Sequence, residues 1–295
     1  MSSPQAKDRR YFWGTASGLL SVLFWSITAP TVASVPDVDA FLYIGIAHLV
    51  GFFLFLGKWV IRRENPVPEL RSIPLWFIAA GLVGISLHEI TWVLALQQAP
   101  PLEATLIIYT WPLLVVIFTA VSLGQKLRWY HMVGGLLGFA GIAFMLMGHG
   151  LNLGGVTWLS GHSIAIVCAL SWSLFSGLSA RYNKMTNNVL SIIFLLSSIL
   201  NFMIWHYVAG GPMASTQSLW IVTISSLFIS SAYMFWDFGM KHGNAPFIGV
   251  MSFMTPVLAA FYIVILGKTD LTPHLLITLL LVMSGIGVAK YGKRL

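Results

Sequence analysis

The run ATLIIYTWPLLVVIFTAVSL, Ala104 to Leu123, is twenty consecutive residues without a charge. A helix rising about 1.5 Å per residue needs about 20 such residues to cross a hydrocarbon core of roughly 30 Å. Pro100-Pro101 and Glu103 stop the run on one side, and Gly124-Gln125-Lys126 stop it on the other. The same alternation of apolar run and punctuation recurs along the chain. It predicts ten spans, at 12–35, 39–61, 73–97, 103–123, 129–147, 160–181, 188–209, 217–240, 246–266 and 272–291. Pro36-Asp37-Val38-Asp39 and Gly210-Gly211-Pro212 are turn chemistry, and Arg62 to Arg71 is a charged, proline-bearing loop. The spans are apolar on every face and too long for the alternating strands, about 10 residues each, of an outer-membrane barrel.

Composition excludes most other classes. Of 295 residues, 57% are apolar and only 8% are charged, where a soluble domain carries roughly 25%. That is too little charge for a soluble enzyme, a disordered chain or a nucleic-acid binder. Cys168 is the only cysteine, so neither a disulfide framework nor a thiolate metal site is expected. The net charge of +7 clusters beside apolar runs and reads as topology. With the N-terminus in the cytoplasm, fifteen of the 16 Lys and Arg residues fall inside, and only Lys268 falls outside. An inner-membrane protein with both termini cytoplasmic is expected. Val32-Ala33-Ser34 is faintly like a cleavage site, but the first segment, with Trp25 at its middle, is too long and bulky for a signal-peptide core.

The second half echoes the first. Phe24-Trp25-Ser26 is matched by Ser171-Trp172-Ser173, 147 residues on; at a spacing of 144, Trp92 meets Trp236, Pro112 meets Pro256 and Gly141 meets Gly285. Five spans per half is an odd number, so repeats at 1–150 and 151–295 would lie inverted. Inverted repeats around a midplane site are an architecture of secondary transporters.

Phe24-Trp25-Ser26, the run Ala95 to Pro112 ending Tyr109-Thr110-Trp111-Pro112, Leu123-Gly124-Gln125-Lys126, Lys241-His242-Gly243-Asn244 and Thr255-Pro256-Val257-Leu258 resemble the drug/metabolite transporter superfamily, in its EamA-type pattern. The resemblance covers nearly the whole chain and is nearest to the superfamily's aromatic amino-acid exporters. It implies a basket of five plus five helices around a central cavity, and export of amino acids to the periplasm. Many EamA-type members carry Glu after the Gly that ends the fourth and ninth spans. Gln125 and Lys268 stand there instead, so no role for that carboxylate carries over.

Trp13, Trp59, Trp76, Trp129, Trp158, Trp205 and Trp220 lie near span ends and read as an interfacial belt, with Trp92 and Trp236 leaning the same way. Trp25, Trp111 and Trp172 fall mid-span, where a buried indole N–H needs a partner. Either they are bulky packing or they line a cavity and offer ring faces to an ammonium or an aromatic side chain. The resemblance favours the cavity. Tyr109 lies two residues before Trp111, so both face one cavity only if Pro112 distorts the helix. Glu89 is the one carboxylate well inside a span, where a charge costs about 3 kcal/mol; substrate binding, proton transfer and a structural hydrogen bond are the alternatives. His88 beside it and Phe253 complete the candidate site. His48 reads as a packing histidine, and Asp237 as an i,i+4 partner of Lys241. Pro112 and Pro256 are candidate hinges. Gly134, Gly138 and Gly141, with Ser284, Gly285 and Gly287, read as small-residue packing surfaces.

Enzyme signals fail. His88-Glu89 begins a zinc-protease pattern that Trp92 breaks, and no phosphate loop or nucleophile elbow occurs. The expectation is a secondary exporter of aromatic and other mainly neutral amino acids, working by alternating access. Its partners would be substrate and lipid, with protons left open. It needs no cofactor or metal, and a monomer is expected. Export of other metabolites or drugs, a channel and an intramembrane enzyme are the weaker readings.

Overall fold

The computed structural model describes residues 4–151, 158–267 and 270–292, with side chains from Asp8 onward. Ten helical segments are long and apolar enough to cross a membrane: α1 Asp8–Ser34, α2 Ala40–Arg62, α3 Leu75–Gln98, α4 Pro101–Ser122, α5 Trp129–Gly148, α6 Ser160–Arg181, α7 Val189–Tyr207, α8 Thr216–His242, α9 Ala245–Ile265 and α10 Pro273–Tyr291. No strand occurs among the described residues. The all-helical multi-pass architecture is as expected, with span ends shifted by a few residues. The charged loop after α2 contains one short helix, Val67–Arg71, which begins at a proline-bearing first turn.

Several spans are interrupted, each for a legible reason. Proline removes one backbone N–H and crowds the carbonyl four residues earlier. In α4 the helix breaks at Tyr109-Thr110 and resumes at Trp111, with Pro112 in its first turn. In α9 it breaks at Ser252-Phe253 and resumes at Met254, with Pro256 in its first turn. In α1 a third break, at Ser26-Ile27, precedes Pro30. The α3 helix widens instead, into a π-helical turn over Val83–Leu87, directly before His88-Glu89. Such turns shift the register of the side chains that follow.

Packing is pairwise. The α5/α10, α1/α8 and α2/α7 pairs run along each other, and α6 lies against both α3 and α4. The α5/α10 seam is the closest: a Cβ added at Gly134 would stand 2.4 Å from the Gly285 carbonyl oxygen. Gly138 packs on Phe253 and Gly141 on Thr278, Leu281 and Val282. Two members of the expected surface do not take part. Nothing lies within 4 Å of a Cβ at Gly287, and Ser284 is exposed. Both occupy the lipid side of α10.

Loop contacts divide the molecule into two faces. On the face of the N-terminus, Arg10 meets His242 at 3.0 Å and Gly14 abuts Gly243. Gly292, at the C-terminal end of α10, abuts Tyr130. On the opposite face Asp37, in the α1–α2 turn, accepts from the Ser215 N–H at 2.8 Å and the Ser218 hydroxyl at 2.6 Å. Those two donors hold the Asp37 carboxyl down to about 2, so the tether keeps its charge across the ordinary pH range. Its contribution is lost only as pH falls toward 2.

Candidate substrate site

The three broken spans and the widened one converge on a cavity of about 290 Å³. Its inner end is aromatic. Trp172, 4% exposed, meets Trp25, Trp111 and Trp236 with ring centroids 5.5, 6.5 and 5.7 Å away. Such spacings are those of favourable offset and edge-on pairs. From there the wall runs along Thr28, Ala29 and Val32 of the outer half of α1 to Val35 and Val38 of the α1–α2 turn. The cavity therefore extends from the tryptophan cluster toward the face opposite the termini. On the termini side the helices close up: Ser17 donates to the Phe235 carbonyl at 3.0 Å, Ser173 to the Trp111 carbonyl at 3.0 Å, and Arg181 to the Ser122 carbonyl at 3.2 Å.

Glu89 lies in the wall, 16% exposed. The Tyr233 hydroxyl donates to its Oε1 at 2.6 Å. His48 Nε2 stands 3.3 Å from Oε2, too far off line for a good hydrogen bond. His48 Nδ1 pairs with Ser197 Oγ at 2.7 Å. The Asn201 amide donates to both the carbonyl and the hydroxyl of Ser197. A hydrogen-bonded chain thus runs from Asn201 through Ser197 to His48, whose Nε2 ends beside the carboxylate. His88 faces the same cavity, and its Nδ1 lies 2.8 Å from the Cys168 carbonyl. A carbonyl only accepts, so Nδ1 carries a proton and fixes the ring.

Of the residues singled out from the sequence, Trp25, His88, Glu89, Tyr109, Trp111 and Trp172 all line this cavity. Tyr109 and Trp111 do so together because the break before Pro112 removes the helical twist that would separate them. Phe253 does not. It is fully buried and packs on Gly138 at the α5 seam, because the break in α9 turns its ring away from the cavity. Pro112 and Pro256 both sit at helix breaks, outside the cavity wall. Asp237 pairs with Lys241 at 2.7 Å as expected, and Ser179 adds a hydrogen bond.

Other positions differ from the sequence expectation. Trp236 is 2% exposed, its indole donating to Ser176, and Trp92 lines the cavity; neither is a belt residue. Trp59 is buried too and donates to Asn188. Tyr233, Tyr43 and Thr255 were missed. Tyr233 lies 144 residues after Glu89, the same offset that relates Trp92 to Trp236, and that offset could have flagged it.

Residues 12–147 match the EamA-like transporter family. The chain is 29% identical over 281 residues to the aromatic amino acid exporter YddG of Ancylobacter novellus, covering 93% of this chain and 96% of that protein. It is 25% identical over 273 residues to the protein of the same name from Escherichia coli (strain K12), covering 88% and 90%. A crystal structure superposes with a TM-score of 0.88 at 28% identity, over 96% of this chain and 99% of that one. Ten apolar spans and these relatives agree: the chain is a membrane transporter, not an enzyme, and its first half is similar to the EamA-like transporter family.

Proposed function

We propose that this transporter exports amino acids, foremost those with aromatic or other apolar side chains, by alternating access. The observation that carries the reading is the set of polar groups the cavity leaves unused. Glu89 supplies one negative charge, and its Oε2 has no hydrogen-bond donor. The Trp25 indole N–H and the Thr255 hydroxyl lack hydrogen-bond partners, and both residues line the wall. Among the described residues no Lys or Arg lines it. An unused acceptor with charge complements an ammonium, and unused neutral donors complement a carboxylate. The remaining wall is aromatic and aliphatic, suited to an apolar side chain, and ring faces strengthen the hold on a cation. The volume falls near the low end of small-molecule sites, roughly 300–1,000 Å³. Relatives named for aromatic amino acid export support the same class.

In this reading 1–150 and 151–295 are inverted repeats. Exchanging the halves maps α5/α10 and α2/α7 onto themselves and α1/α8 onto α6/α3, and all four pairings occur. One pairing breaks the symmetry: α6 packs extensively along α4, while its counterpart α1 touches α9 sparsely. That asymmetry suits a transporter caught open on one side, with the exchanged arrangement as its opposite state. Pro112 and Pro256 would serve as hinges. Lys and Arg side chains among the described residues all stand on the face of the termini, which supports cytoplasmic termini. The cavity is enclosed by one chain, so a monomer suffices.

Counterflow tests the reading. Proteoliposomes preloaded with unlabelled phenylalanine should transiently accumulate labelled phenylalanine, saturably. Trp111→Ala should weaken apparent affinity by about thirtyfold, the equivalent of roughly 2 kcal/mol for a desolvated cation–π contact. Flux that rises linearly with concentration, with no counterflow, would indicate a channel.

A further inference from the structure

We infer that a second pocket, on the face of the termini, is a head-group site for an anionic phospholipid. The pocket measures about 390 Å³ and lies where α1, the α4–α5 loop, α5 and the start of α9 meet. Tyr11, Lys126, Arg128, Tyr130, His131 and Asn244 supply its polar wall, and among the described residues no carboxylate lines it.

The two cations are free to take an external anion. Neither Lys126 nor Arg128 has an ion pair among the described residues. Most carboxylates on this face are already engaged: Glu64 by Lys58 and Arg62, Asp237 by Lys241, and Glu69 by Asn188. Asn244 spends its Oδ1 on the Phe247 N–H at 3.2 Å and hydrogen-bonds the Tyr11 hydroxyl, which leaves one amide N–H for a ligand. The loop is held open by Gly124 at φ +64° and by the Gln125 N–H on the Ala120 carbonyl at 2.8 Å. Two cations, two phenols and an amide donor suit a phosphate, which accepts hydrogen bonds and donates none at its charged oxygens.

The rim selects a lipid phosphate over a free one. Leu127 at the mouth is exposed, and Trp129, Val133 and Leu136 continue down α5 as one stripe, 54, 40 and 53% exposed. Spaced four and three residues apart, they share a helix face. With the phosphate in the pocket, acyl chains would lie along this stripe. Basic pockets between membrane helices hold anionic head groups in this way.

Thermal unfolding of delipidated protein in detergent tests the site, with phosphatidylglycerol, phosphatidylcholine or inorganic phosphate added. Phosphatidylglycerol should raise the midpoint, and the other two at equal concentration should not. Lys126→Gln/Arg128→Gln should weaken the apparent lipid affinity roughly thirtyfold, as expected for two interfacial charges. Both residues are exposed, so the lipid-free midpoint should stay put. Lys126→Arg/Arg128→Lys should restore the response. Arg62→Gln/Arg71→Gln, the same charge change elsewhere on this face, should respond like wild type. An equal shift with phosphatidylcholine or phosphate, an undiminished response in the pocket variant, or equal loss in the distant one would each overturn the assignment.

Discussion

Glu89 carries the most information of any single residue. Its position within an apolar run marked it in the sequence, since a charge at such depth costs several kcal/mol unless it is used or compensated. Compensation is visible: Tyr233 donates to one oxygen, and His48 stands beside the other. Both lie on other spans, and only Tyr233, at the 144-residue repeat offset, had any sequence relation to it. His48 read as mere packing, and it does stack on Phe194 at 5.1 Å, yet it also bonds Ser197, itself held by Asn201, and stands 3.3 Å from the carboxylate. Glu89→Gln keeps an acceptor for Tyr233 and removes the charge. Net export should fall at least tenfold in the glutamine variant, measured as efflux from preloaded proteoliposomes. If Glu89 moves a proton, substrate-for-substrate exchange should suffer less than net efflux; if it only holds the ammonium, both should fall together. Wild-type values in both assays would reduce Glu89 to architecture.

Helix breaks and seams decide the next scale. The prolines of α4 and α9 were legible as helix interruptions, because a missing N–H acts locally. Which way each break turns its neighbours was not legible: Tyr109 enters the cavity, whereas Phe253 at the matching position of α9 packs on α5. The glycine seam shows the same division. Gly134 and Gly285 face each other across backbone that cannot give way, while Gly287, two residues on, meets nothing. Gly134→Ala should lower stability by about 1–3 kcal/mol, the usual range for overpacking, seen as an earlier thermal midpoint in detergent. Gly287→Ala should leave the midpoint unchanged or slightly higher, since alanine is the better helix former. Equal effects at the two positions would contradict the seam.

At the scale of the whole molecule, two faces and one open cavity give a direction to transport. Single cysteines at Ser2 and Ser215, in a Cys168→Ala background, report that direction with an impermeant thiol reagent. Intact cells should be labelled at position 215 and not at position 2. Labelling at position 2 from outside would invert the proposed orientation, and the cavity would then open to the cytoplasm.

Span number, helical class and the separation of charged from uncharged faces were fixed by the sequence alone. They follow from single-residue transfer energies, which do not depend on neighbours: a backbone in lipid must bond to itself, and a Lys in lipid is costly wherever it sits. The cavity depends on tertiary structure. Glu89 from α3, Tyr233 from α8, His48 from α2 and Trp172 from α6 become one site only when four helices pack, and packing depends on shape summed over many contacts. Trp92 and Trp236 illustrate the limit. Hydropathy assigned them to the interface by depth, but burial is set by which way a helix faces, and only the assembled bundle determines that.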